Sequence, residues 1–374
     1  MDINNNYNIK IILTILTILI ILIILIILII YFYLLYNNKF TYYHENNKFN
    51  NLLKNILNNS NINNNNNNWN IFIPKGYTTL EYQLDKLKIN TYNTYIFGIK
   101  GCDKIVSKNN IWKILINHYN RKYASTLMPN TFIYNKNDLE LFTIDFNSSI
   151  NPLYILKKNI QRKKGLKLTN NYYDIINSEK ENYKIIQKYN KNLFLINKRK
   201  INLRIYFLII DDNTTFKYYT SNLGKCIYTN KDFDKNDDFD FEKNITSFNL
   251  NLDIYNKNPK SLQDLQKYLG YKNSTILFKR IDKLFKDVSI AIDYHLKQSK
   301  IFNNILSFQL FGADVVFDNN LHPFLLEFNK GPDMKPKDND DKIMKSNVFF
   351  DVFNKTKIIN KLFYKNNFKL IYTN

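Results

Sequence analysis

Apolar residues fall into two different patterns along this chain. Over residues 11–36 they run unbroken, as IILTILTILIILIILIILIIYFYLLY, without a charge, Gly or Pro. Twenty-six residues exceed the roughly 20 that a helix needs to cross a hydrocarbon layer, so the run predicts one transmembrane helix. Tyr31, Phe32, Tyr33 and Tyr36 would sit at headgroup level. The shorter apolar core and small-residue cut site of a cleaved leader are missing. Lys10 precedes the run, whereas Lys39, Lys48 and Lys54 follow it. That asymmetry leans toward a single-pass membrane protein with a cytosolic C-terminal part, and makes the lipid bilayer a partner through residues 11–36. Residues 37–70 are Asn-rich, culminating in NNSNINNNNNNWN, and predict a disordered linker. Residues 1–10 are then a short tail, and a globular domain occupies 71–374.

Within that domain the apolar spacing changes period repeatedly. It predicts helices over 108–122, 178–187 and 274–298, and strands over 153–157, 166–169, 203–210 and 216–220. Strands and helices mix without strict alternation, so the predicted fold class is α+β. Near the C-terminus, FGADVVFDNNLHPFLLEFNKGPDM (residues 311–334) reads as two strands joined at Asn319 and Asn320. A uniform register opposes Asp314 to Glu327 and Gly312 to Asn329. Ala313, Val315, Phe317, Phe324, Leu326 and Phe328 then form an apolar face. The other face carries two facing carboxylates and an amide, a repulsive arrangement unless something positive lies between them. Three hard oxygen donors of this kind suit Mg²⁺, whose shell water and phosphate would complete. Gly312 would leave open space beside such a metal.

The formal charge of +21, from 53 Lys and Arg against 32 Asp and Glu, favours an acidic partner. Without zinc spacing or a recognition-helix signature, nucleic acid is an unlikely one. Cys102 and Cys226 lie far apart, give no disulfide framework, and read as buried small hydrophobes.

The hairpin resembles the C-terminal signature of the tubulin–tyrosine ligase-like family, in which a Phe-Gly-x-Asp strand precedes a Pro-[Trp/Phe]-Leu-[Leu/Ile]-Glu-x-Asn strand. The resemblance implies an ATP-grasp fold, with Asp314, Glu327 and Asn329 holding Mg²⁺ against ATP. Upstream, YILKKN resembles the strand whose Lys contacts phosphate, here Lys157. QRKKGLKL resembles the basic loop over the nucleotide, which implicates Arg162, Lys163, Lys164 and Gly165. IIQKY resembles the adenine hinge, with Gln187, Lys188 and backbone groups of Tyr189 reading the base. KINLRIYFLI resembles the strand that supplies Lys200 and Arg204 to phosphate or substrate. Arg204, Lys200 and Glu327 thus become catalytic candidates. The implied activity is an ATP-dependent carboxylate–amine ligase that takes an amino-acid co-substrate and an acidic protein acceptor, such as a tubulin tail. Departures remain. The family's Asp is Asn202, its His-Leu-Thr-Asn segment is Asn244-Ile245-Thr246-Ser247, and Lys225 is the nearest cation to an expected Arg. They keep a second function open, that of a nucleotide- or protein-binding module impaired in catalysis.

Overall fold

The computed structural model describes residues 13–29, 40–44, 50–89, 94–160, 165–234, 239–246, 251–361 and 363–374. A large sheet carries Phe368–Thr373, Phe216–Tyr228, Arg199–Asp211, Leu306–Phe317, Tyr95–Phe97, Ile71–Phe72, Thr41–Tyr43 and Asn63–Asn64 in that order, and Pro323–Asn329 pairs with Leu306–Phe317. A second sheet of four strands has the order Thr131–Ile133, Ile185–Lys188, Tyr154–Lys157, Leu166–Thr169.

The long strand Arg199–Asp211 explains how the site arises. Side-chain alternation puts Ile201, Leu203, Ile205, Phe207 and Ile209 into one core, under the helix Leu262–Ser299. On the opposite face Tyr206, Leu208 and Ile210 enter a second core with residues of Asn51–Asn59 and Asn339–Lys355. Lys200, Asn202 and Arg204 continue that second face, where they line a cleft instead of a core. One strand is therefore apolar on both faces at one end and polar on one face at the other.

The structure corrects several expectations. Residues 13–29 are helical, and no helix among the described residues is long and apolar enough to cross a membrane. The transmembrane helix over 11–36 and the single-pass localisation are thereby overturned, and the bilayer as partner is left without support. Residues 11–12 and 30–36 of that run lie outside the described residues.

The Asn-rich stretch is not a disordered linker where it is described. Thr41–Tyr43 pairs with Ile71–Phe72, and Asn51–Asn59 buries Leu52, Leu53 and Leu57. Asn50 caps that helix through its side chain, which accepts from the N–H of Leu52 at 2.9 Å. The predicted helix over 178–187 is instead a short 3₁₀ turn, Ser178–Glu181, followed by the strand Ile185–Lys188. Asn182 takes a left-handed conformation (φ 67°) between them, which helical residues do not adopt. The helix expected over 108–122 stops at His118, and a second one, Arg121–Leu127, starts after Asn120.

Candidate active-site cleft

The hairpin pairs as the spacing predicts at its upper end: Asp314 opposes Glu327, and Gly312 opposes Asn329. A bulge follows. Val315 pairs with Leu325 and Val316 with Phe324, so Leu326 is the extra residue. Leu325 consequently enters the core, while Leu326 lines the cleft together with Val316 and Glu327. The expected placement of Phe324 and Leu326 on the apolar core face is corrected, and both are half-buried.

The space beside Gly312 is not open. A Cβ there would lie 2.9 Å from Cδ and 3.3 Å from Nε of Arg204. The glycine is needed for the close approach of that side chain. Arg204 reaches across to Asp314, with Nε donating to Oδ1 at 2.7 Å and Nη2 to Oδ2 at 3.2 Å. Glu327 pairs with Lys108 at 3.1 Å and accepts from Asn329 Nδ2 at 3.4 Å. Lys108 opens the helix Lys108–His118 and was not a sequence candidate, because nothing in its local pattern announces a partner so distant in the chain.

These groups line a cleft of about 460 Å³ between the two sheets. Lys157, Gln187, Lys200, Asn202, Arg204, Asp314, Glu327 and Asn329 all border it, as do apolar side chains including Ile155, Leu166 and Ile227. That combination suits a ligand with a flat apolar part and a polyanionic part. Burial pushes the Lys157 amine down to about 8, against the pull of Glu327. Burial works to raise Glu327, but Lys108 and Lys157 outweigh it and hold its carboxyl below the ordinary range. Burial pushes the Asp314 carboxyl up, with Arg204 opposing and the facing Glu327 adding to the rise. The two carboxylates are thus driven apart, as expected for like charges sharing a site.

Several sequence candidates are engaged by other groups, even where they border this space. Gln187 donates to Thr131 Oγ1 at 2.8 Å, and the ammonium of Lys188 is held by Asp145 at 3.0 Å. The N–H groups of Lys188 and Tyr189 are bonded to Asn130 O and Leu153 O, both at 2.8 Å, so neither is an available donor for a base. Gly165 accepts from Lys158 N at 2.8 Å, and a Cβ there would meet Ile160 Cγ1 at 2.6 Å. It immediately precedes the strand Leu166–Thr169 and is not among the residues that line the cleft. Arg162, Lys163 and Lys164 lie outside the described residues, as does Ser247. Lys225 is turned to Asp341. Asn202, where an Asp was expected, is 5% exposed, and its Oδ1 finds no hydrogen-bond partner among the described residues.

Among the described residues no group of three or more His, Cys, Asp and Glu could hold a metal ion. The available donors are two facing carboxylates and one amide, the hard-oxygen set that Mg²⁺ uses with water and phosphate. The residues therefore fit Mg²⁺ bound together with a phosphate ligand.

Lys157 carries a prediction of its own. Its charge is disfavoured by burial, so ligand-free Lys157→Met is expected to be more stable than the parent at pH 7 by on the order of 1–3 kcal/mol. Because the folded-state value lies near 8 and the ordinary one at 10.5, the folded chain holds fewer protons than the unfolded chain between them. Parent stability should rise across that window and close the gap. Thermal melts from pH 7 to 10.5 check this, and a variant less stable than the parent at pH 7 would refute it.

The tubulin-tyrosine ligase family model matches residues 84–363. A probable tubulin polyglutamylase, TTLL9 of Rattus norvegicus, is 28% identical over 178 residues, covering 46% of this chain and 38% of the relative. The probable alpha-tubulin polyglutamylase Ttll1 of Tetrahymena thermophila is 29% identical over 212 residues, 54% of this chain and 50% of the relative. Tubulin glycylase 3C of Tetrahymena thermophila is 28% identical over 193 residues, 47% of this chain and 18% of the relative. The chain thus matches half or less of the length of each of these proteins.

Proposed function

The chain belongs to the tubulin-tyrosine ligase family, and from that premise we propose that it is an ATP- and Mg²⁺-dependent ligase that joins an amino acid to a protein acceptor, a tubulin tail. The observation that carries this reading is the cleft that gathers Lys157, Lys200 and Arg204 with Asp314, Glu327 and Asn329. In the proposed reaction a substrate carboxylate oxygen attacks the γ-phosphorus and ADP leaves. An amino group then displaces phosphate from the acyl phosphate, giving an amide and releasing a proton. The difficulty is charge: an anionic nucleophile must approach a polyanion.

Each residue has a task against that difficulty. Lys157 and Arg204 project from rigid strands and would bind phosphate oxygens, and Lys108 adds a third cation beside Glu327. The apolar lining would hold the base and exclude water. Asp314, Glu327 and Asn329 would hold Mg²⁺, which when bound supplies further positive charge against the phosphates. The net charge of +21 would draw in an acidic tail.

One observation favours a second reading, a binding module without ligation: the unsatisfied Asn202 Oδ1 at a position where the family carries Asp. A single assay separates the two. The full chain is incubated with ATP, Mg²⁺, labelled glutamate, glycine or tyrosine, and tubulin with or without its tails. Incorporation that requires ATP and the tails is the expected result. Nucleotide binding with no incorporation of any of the three would favour the binding module.

A further inference from the structure

Carboxylates of Asp314, Glu327 and Asp333 border the cleft, and the first two each have a cation: Asp314 is paired with Arg204, and Glu327 with Lys108. Asp333 is half-buried and has no ion pair among the described residues. Its Oδ1 accepts from the N–H of Lys335 at 3.0 Å, which closes a local turn and leaves the charge uncompensated.

The segment that carries Asp333 is held on both sides. Lys330 is 6% exposed; its ammonium pairs with Asp103, and its carbonyl accepts from Gln309 Nε2 at 2.8 Å. The carbonyl of Lys335 accepts from the buried ammonium of Lys345 at 2.6 Å. Between these anchors Gly331 lies against the ring of Tyr77, where a Cβ would come 2.7 Å from Cγ. Pro332 packs over Gly312, 3.1 Å from the position that a Cβ would take there. A group on such a strap is ordered before any ligand arrives, which lowers the entropy cost of binding.

The strap also fixes which end of the cleft Asp333 occupies. Gly312 pairs with Tyr206, beyond Arg204 on the long strand. Burial pushes the Tyr206 hydroxyl up against the pull of Arg204, and the nearby charges of Asp341 and Asp333 add to the rise. At the other end Lys200 donates to the hydroxyl of Tyr189. Lys200 and Tyr206 lie roughly 20 Å apart along the strand, at about 3.3 Å per residue, with Arg204 between them. Asp333 thus stands past the Arg204 guanidinium, on the side away from Tyr189. A phosphate there would be repelled. Nor does Asp333 join Asp314 and Glu327 around one metal, since no three such groups come together among the described residues. A fixed, uncompensated carboxylate in this place suits an ammonium. Of the ligands assigned to the cleft, nucleotide, acidic tail and amino acid, the amino acid brings one.

We propose that Asp333 binds the α-ammonium of the amino-acid co-substrate and so holds the amine at the phosphate end of the cleft. This rests on the ligase reading above. Asp333→Asn keeps an oxygen for the N–H of Lys335, so the turn survives and the charge alone is lost. The variant is expected to bind the amino acid about ten- to a hundredfold more weakly, while its affinity for Mg·ATP does not fall.

The test is calorimetric titration of glutamate, glycine and tyrosine, each free and N-acetylated, into the full chain holding Mg²⁺ and a non-hydrolysable ATP analogue. Acetylation removes the ammonium. In the parent it should weaken binding about as much as Asp333→Asn does, and in the variant it should cost little more, because the two changes remove the same interaction. If the parent binds an amino acid and Asp333→Asn binds it equally well, or if acetylation costs as much in the variant as in the parent, the proposal is overturned and the ligase reading stands. A variant that loses Mg·ATP as well would place Asp333 with the metal or nucleotide and likewise overturn it. If the parent binds none of the three amino acids, the ligase reading itself fails and the proposal falls with it.

Discussion

Glu327→Gln is expected to lower Mg²⁺-dependent ATP turnover by about a hundredfold or more, because the several kcal/mol that a metal contributes to phosphoryl transfer depend on its being held. The substitution keeps the shape of the side chain and removes one charge. Two opposing effects act on the fold. Lys108 loses its partner at 3.1 Å, a partly exposed pair contributing roughly 0–1 kcal/mol. Repulsion from the facing Asp314 disappears at the same time. The melting temperature of the ligand-free chain should therefore stay within a few degrees of the parent. Added Mg·ATP should raise the parent's melting temperature, by ligand linkage, and leave the variant's unchanged. Asp318→Asn is the control. Asp318 accepts from the N–H groups of Asn320 at 2.9 Å and His322 at 2.8 Å, so it holds the turn and lies off the cleft. It should retain Mg²⁺ dependence. A Glu327→Gln chain that uses Mg·ATP like the parent would remove the metal assignment altogether.

The facing carboxylates were legible because a strand period of two and an Asn-Asn turn leave few registers for a short hairpin. The bulge was not. Its location depends on which of two adjacent leucines fills the core, and Leu325 and Leu326 are indistinguishable as letters. The structure sends Leu325 inward at full burial and leaves Leu326 to the cleft. Lys108 was invisible for a different reason: its role comes from a helix N-terminus brought against a distant strand, a tertiary fact with no local pattern. The helix at Asn51–Asn59 shows how composition misleads. Leu52, Leu53, Ile56 and Leu57 carry a helical spacing, which the surrounding asparagines mask in any average over the stretch. The apolar run at the start misleads in the opposite sense, since its letters promise a length that the described helix at 13–29 does not reach. Lys200 was named from its strand, but its contacts with Tyr189, Phe233 and Asn244 come from segments that no spacing relates.

Arg204→Met should be the most destabilising single change in the cleft, at about 3–5 kcal/mol, since it strips a buried carboxylate of a two-point partner. Asp314 is 8% exposed and faces Glu327, so without Arg204 it has burial and like charge against it and little in its favour. Burial works against the Arg204 charge as well, and Asp314 more than offsets that, so the pair is mutually dependent. The pH dependence follows from the sign of the Asp314 shift. Its carboxyl is raised in the folded chain, so the folded state binds more protons than the unfolded state above the ordinary carboxylate value, and stability falls as pH rises there. Loss of Arg204 removes the opposing pull and enlarges the effect. The deficit of Arg204→Met should therefore shrink as pH is lowered through the acidic range, where Asp314 takes up its proton. Adding Asp314→Asn to Arg204→Met removes the unpaired charge and should recover most of the stability at pH 7, while nucleotide binding stays lost. Denaturant melts of the three proteins at pH 5 and pH 7 measure both effects. A single variant that is no less stable than the parent, or a double variant no better than the single, would mean that the pair is not what holds Asp314 in the buried face of the cleft.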